Sequence, residues 1–107
     1  MKVLFDQGTP VPLRRHLHPH VVDTAAELGW SQLRNGDLIA RAEASGYEAL
    51  ITTDMNLKYQ QNLARSTLRL VVLTSTSWPR IQRQAAEVRV ALESLKVGGY
   101  REVSIAV

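Results

Sequence analysis

Cysteine is absent from this 107-residue chain. Its absence excludes a thiol nucleophile, a zinc ribbon and a disulfide framework. Long apolar runs are missing too, and nothing approaches the roughly 20 residues that a membrane helix needs. Asp6 interrupts the opening MKVLF too early for the apolar region of a signal peptide. There is no internal repeat, no low-complexity stretch and no Pro- or Gly-rich linker. Hydrophobic residues make up 45% of the chain and charged residues 21%, which excludes disorder, a collagen repeat or a disulfide scaffold. A chain of this length buries roughly 65% of its unfolded surface, enough for one core. A single domain over residues 1–107, in the cytoplasm and away from the membrane, is therefore expected.

Acids are unevenly distributed. The net charge of +3 is mild, but beyond Asp54 the only acids are Glu87, Glu93 and Glu102, against eight basic residues. Up to and including Asp54, five basic residues meet seven acids, among them all four aspartates, Asp6, Asp23, Asp37 and Asp54. Ten of the thirteen basic residues are arginine, whose fork matches phosphate and carboxylate oxygens. An acidic half joined to an arginine-rich half suits a metal-dependent phosphodiesterase; ordinary charge scatter on a small domain gives the same totals.

Lys2–Phe5 reads as a buried strand stopped by Asp6-Gln7-Gly8-Thr9-Pro10. Pro10 and Pro12 open a helix through Leu13 and Leu17, ended by Pro19. Val21 and Val22 mark a second strand, followed by a helical stretch over 25–28 that stops at Gly29. Asn35 is placed to cap a helix that carries Leu38, Ile39, Ala42 and Ser45 on one face and ends at Gly46. Ala49–Thr52 is a third strand, 57–63 a short polar helix, and 68–73 (LRLVVL) the clearest buried strand. Ser77-Trp78-Pro79 then opens the longest predicted helix. Ile81, Ala85, Val88, Leu92 and Leu95 follow at spacings of four, three, four and three, a core stripe ending before Gly98. Residues 100–107 alternate as a final strand. Strands alternating with helices predict a three-layer α/β/α sandwich with a mostly parallel sheet of about five strands.

In open α/β sheets ligands bind beyond the carboxyl ends of the strands, where strand order switches. Asp6 follows the first strand and Asp54 the third, while Asp37 sits in the first turn of the helix leading into the third. Three carboxylates so placed are candidate ligands for Mg²⁺ or Mn²⁺, hard cations that prefer oxygen. Asn56 is a candidate to add an amide oxygen or to hold a coordinating water. The alternative is local: Asp after a strand hydrogen-bonds turn backbone, and Asn35-Gly36-Asp37 is an ordinary helix opening. A phospho-receiver reading, with Asp54 as acceptor, needs a pair of acids after the first strand, and Asp6 stands alone.

Leu4-Phe5-Asp6-Gln7-Gly8, Asn35-Gly36-Asp37 and Ile51-Thr52-Thr53-Asp54-Met55-Asn56-Leu57 together resemble the three acidic blocks of short PIN-like domains. The stretch 56–62 (NLKYQQN) and Thr76-Ser77-Trp78-Pro79 are similar to one subgroup, so the resemblance spans almost the whole chain. It implies a PIN-like fold, a metal-dependent endoribonuclease activity with Asp6, Asp37 and Asp54 as ligands, and the role of toxin in a bacterial toxin–antitoxin pair. RNA, a cognate antitoxin protein and a second copy of the chain as homodimer are the implied partners. Where the family often has Asp-Glu-Asn this chain has Asp6-Gln7-Gly8, and Asn56 stands where a further acid is frequent. These departures leave open a second reading, a catalytically weak or inactive PIN-like module that binds RNA or a protein.

Lys58, Gln60 and Gln61 follow Asp54 closely and are candidates to hold phosphate or stack a base, or else form an exposed polar helix face. Arg80 and Arg83, near the start of the long predicted helix, are candidates for the RNA backbone or simply a solvated face. Glu27 reads as a solvated helix-end acid or a fourth ligand. His16, His18 and His20 read as surface or strand-edge residues, interrupted by Pro19. Trp30 and Trp78 read as packing residues, with one of them a candidate to stack on a base, and Thr74 to Ser77 read as capping residues, since no nucleophile elbow is present.

Overall fold

The computed structural model describes residues 1–57 and 66–107. The short polar helix expected over 57–63 and the candidates Lys58, Gln60 and Gln61 lie outside the described residues, apart from Leu57. Among the described residues, five parallel strands form one sheet: β1 (Lys2–Phe5), β2 (Val21–Thr24), β3 (Ala49–Thr52), β4 (Arg69–Leu73) and β5 (Tyr100–Val103), in the order β2-β1-β3-β4-β5. β1, β3 and β4 are covered on both faces, which is why they read as continuous apolar runs rather than as alternating patterns. Leu4 lies between Asp23 of β2 and Leu50 of β3, and Leu50 beside Leu70 of β4.

Alternate strand residues feed two separate cores, and these make the three layers. On one face Val3, Phe5, Ile51, Val71 and Leu73 pack with Leu13 and Leu17 and with Ile81, Val88 and Leu92. These partners come from a 3-10 helix (Val11–Leu17) and from helices α2 (Trp78–Gln82) and α3 (Ala85–Ser94). On the other face Leu4, Leu50, Leu70 and Val72 pack with Leu38, Ile39 and Ala42 of α1 (Asn35–Ala44) and with Tyr47. No helix among the described residues is long and apolar enough to cross a membrane.

Several elements differ from the sequence expectation, each for a local reason. The proline-opened segment is a 3-10 helix with Pro in its first turn. The stretch 25–28 is one turn and not a helix: Thr24 and Glu27 bond each other's backbone N–H reciprocally, and Gly29 reverses the chain at φ +74°. Helix α1 starts at Asn35 itself with Arg34 as its N-cap, so Asn35 is not the cap. It stops at Ala44, ahead of the expected Gly46, which turns the chain at φ +85° and lets the Tyr47 N–H donate to Ala42 O.

The long predicted helix is two helices, although its apolar stripe is right. Gln84, at the break, takes φ −118° and clasps the C-terminal segment. Its amide donates to Ser104 O at 2.8 Å and accepts from the Ala106 N–H at 2.6 Å. Strand β5 consequently stops at Val103, because beyond it side chains replace the ladder: the Ile105 N–H donates to Thr74 Oγ1 at 2.7 Å.

Candidate functional site

The chain goes from β1 outward to β2, then back over β1 to β3. Strand order therefore switches at β1 and β3, and their carboxyl ends open a crevice. Asp6 and Asp54 both line this cleft, of about 100 Å³, on the α1 side of the sheet. Its walls are Ala25, Trp30, Leu33 and Leu38, with Gln7, Gly8 and Ser31 completing the lining. Trp30 is held edge-on to Tyr47 at 6.0 Å, and the Arg41 guanidinium lies 5.7 Å from its ring centre. Burial and the hydrogen bond that Tyr47 donates to Asp23, 2.6 Å, push the phenol well above its ordinary range, so it stays neutral.

The two aspartates are joined by a threonine. Thr52 Oγ1, nearly inaccessible at the end of β3, donates to Asp6 Oδ2 and accepts from the Asp54 N–H at 3.0 Å. Asp6 Oδ1 accepts from the Thr9 N–H at 3.1 Å and from the Thr9 hydroxyl at 2.6 Å. A carboxylate offers about four lone-pair sites, so Asp6 retains about one. Asp54 is less committed: its Oδ1 accepts from the Asn56 N–H at 2.9 Å, closing an Asx turn. Gly8 fits closely, since a Cβ there would run into Thr53 Oγ1.

The other sequence candidates lie elsewhere. Asp37 is exposed in the first turn of α1 and lines neither this cleft nor the groove beside it. Helical phase explains this, because Leu38, Ile39 and Ala42 take the inward face. Among the described residues no group of three His, Asp or Glu is close enough to hold a metal ion. Asn56 contributes its backbone to the Asp54 turn and is exposed. Arg80 and Arg83 are exposed at α2, on the opposite layer from the cleft, with Arg83 Nε donating to Pro79 O.

Glu27 pairs with Arg14 as well as bonding the Thr24 backbone, and the Arg14 hydrogen bond is the main cause holding its carboxyl below the usual range. The histidines diverge. His16 lies 5.6 Å from the Trp78 ring, and His20 links the N-terminal amino group at 2.9 Å to Glu93 at 2.7 Å. Of the segment expected to cap, Ser75 accepts from the Ser77 N–H at 3.0 Å and Thr74 holds Ile105. Gln7 and Gly8 occupy the places where a receiver's second acid would stand.

Thr9 and Thr52, which fix the aspartate pair, carry no mark of their own in the sequence beyond a hydroxyl three residues after Asp6 and a hydroxyl two residues before Asp54. Gln32 and Arg34, which border the adjoining groove with Gln7, carried no signal, being polar residues in a loop. The chain matches no protein-family model, no curated protein and no solved structure.

Proposed function

We propose that this chain is a PIN-like, metal-dependent endoribonuclease, the toxin of a toxin–antitoxin pair, with RNA as substrate and a cognate antitoxin protein as partner. The observation that carries this reading is the meeting of Asp6 and Asp54 in one cleft at the switch in strand order. Their chemistry fits a hard divalent cation. Among the described residues the titratable side chains lining the cleft are these two carboxylates, and Mg²⁺ is usually held by one or two carboxylates, with waters and substrate phosphates completing its shell. Mg²⁺ or Mn²⁺ would supply an activated water and neutralise charge on the phosphodiester.

The chain's own residues prepare the site. Thr9 and Thr52 fix the Asp6 carboxylate, leaving about one lone pair for the cleft. The Thr52 hydroxyl also fixes the Asp54 backbone, so the two acids are set relative to each other before any ligand arrives. Ala25, Leu33 and Leu38 form an apolar wall that strengthens electrostatic interactions across the cleft. Arg80 and Arg83 lie on the far layer and would reach only a longer RNA.

The test is cleavage of single-stranded RNA in Mn²⁺ by the wild type and by Asp54→Asn, with chelator as control. Asp54→Asn should lose about a hundredfold or more, since even outer partners of metal sites cost up to that amount. Its thermal unfolding should stay unchanged, because Asn keeps an acceptor for the Asn56 N–H. Equal cleavage by the variant, or no calorimetric Mn²⁺ binding at millimolar metal, refutes the assignment. The second reading, a non-catalytic module that binds RNA or a protein, is favoured by the position of Asp37 outside the cleft and by the three donors already on Asp6. It predicts RNA binding without cleavage.

A further inference from the structure

A second depression continues directly from the aspartate cleft. It measures about 330 Å³, is lined by Gln7, Ser31, Gln32, Leu33, Arg34 and Asp54, and shares four of these residues with the cleft. Its character is different. The cleft has an apolar wall, whereas this groove is bordered by two side-chain amides, a hydroxyl and a guanidinium. Among the described residues the side chains of Gln7, Gln32 and Arg34 make no hydrogen bond or ion pair within the protein. All three are exposed, and the loop presenting Ser31 to Arg34 is pinned at both ends. The Trp30 N–H bonds Ala25 O at 2.8 Å, the Leu33 N–H bonds Trp30 O at 3.0 Å, and Leu38 of α1 bonds Arg34 O at 2.9 Å.

We infer that this groove is a subsite for one unpaired purine of single-stranded RNA, read along its N7 edge. The inference rests on the RNA reading above and deepens it. Side-chain amides pair in bidentate fashion with adenine N6 and N7, and arginine with guanine O6 and N7, so Gln7, Gln32 and Arg34 all suit the edge that pyrimidines lack. The base has to be unpaired, because sequence-specific RNA recognition works on splayed bases. Trp30, packed against Tyr47 and Arg41, lines the adjoining cleft and directly precedes the groove residue Ser31. The shared residue Asp54 places the purine beside the carboxylate pair, so the subsite would select the base next to the scissile phosphate.

The experiment is fluorescence anisotropy in chelator, using uridine-rich oligoribonucleotides that carry one central adenosine, guanosine, cytidine or 7-deazaadenosine. Bidentate base contacts discriminate by about 1–3 kcal/mol, so a preference for adenosine or guanosine over cytidine of about tenfold is expected. The 7-deazaadenosine strand should bind no better than the cytidine strand. Gln32→Ala should reduce the adenosine preference, and Arg34→Ala the guanosine preference, to about twofold or less while cytidine binding changes little. Equal affinity for all four strands, full binding of 7-deazaadenosine, an unchanged preference in both variants, or no RNA binding overturns the inference. Chelator removes cleavage from the measurement. A protein that fails the Mn²⁺ tests yet shows the N7-dependent preference therefore keeps the subsite and loses only the nuclease reading.

Discussion

Replacing Thr52 by valine isolates the link between the two aspartates. Valine preserves volume and strand propensity and removes only the hydroxyl. Asp6 Oδ2 then loses its donor and the Asp54 N–H loses its acceptor. A hydrogen bond to a charged acceptor contributes about 1.5–3 kcal/mol, and leaving a half-buried N–H unpaired costs about 1 kcal/mol more. The expected loss is about 3 kcal/mol, a large share of the 5–15 kcal/mol available to a domain of this size. At about 4 °C per kcal/mol that is a drop of about 12 °C in Tm. Urea unfolding monitored by circular dichroism measures it. Thr52→Ser, which keeps the hydroxyl, should lose only about 1 kcal/mol for its missing methyl. If valine costs less than serine, the hydroxyl bridge does not hold the site together and the reasoning fails.

Two further perturbations test other parts of the structure. Gly8→Ala forces a Cβ onto Thr53 Oγ1, whose β-branched side chain rotates with difficulty, and should cost about 1–3 kcal/mol by denaturant titration. Adding Thr53→Ala should recover most of that loss, and failure to recover places the strain elsewhere. Glu27, held down chiefly by Arg14, and Glu93, held down chiefly by His20 and then Arg89, both titrate below the ordinary 4.5. Carboxyls depressed in the folded state stabilise it above their unfolded value, and that contribution disappears as pH falls through the folded value. The wild type should therefore lose urea resistance more steeply between about pH 5 and about pH 3 than the Glu27→Gln, Glu93→Gln double variant. Parallel pH profiles contradict the assignment.

The layers were legible because burial on both faces writes an unbroken apolar run. Leu70-Val71-Val72-Leu73 has no other reading, and Leu38, Ile39 and Ala42 state the inward face of α1 directly. The placement of Asp6 and Asp54 at strand ends was equally readable. Their connection was not: Thr52 and Asp6 are 46 positions apart, and only the strand register brings them together. Asp37 illustrates the converse, since its neighbour Leu38 already reserved the buried side of the turn. The break at Gln84 was hidden because the apolar stripe runs through it without a missed beat, and its cause lies at Ser104 and Ala106.

Strand β5 bears on how two copies of this chain could meet. Among the described residues it ends the sheet, pairing with β4, and its outer backbone groups could template another strand. Joining two such edges in antiparallel fashion about a two-fold axis normal to the sheet leaves each side chain on its own face, so odd positions oppose odd and even oppose even. The two registers that keep most of the strand paired then centre on Arg101 facing Arg101 or on Glu102 facing Glu102. Like charges directly opposite are repelled in either case. Adjacent opposite charges thus give this edge no net charge and still make it a poor seam for self-association, so a homodimer of this chain would need a different surface.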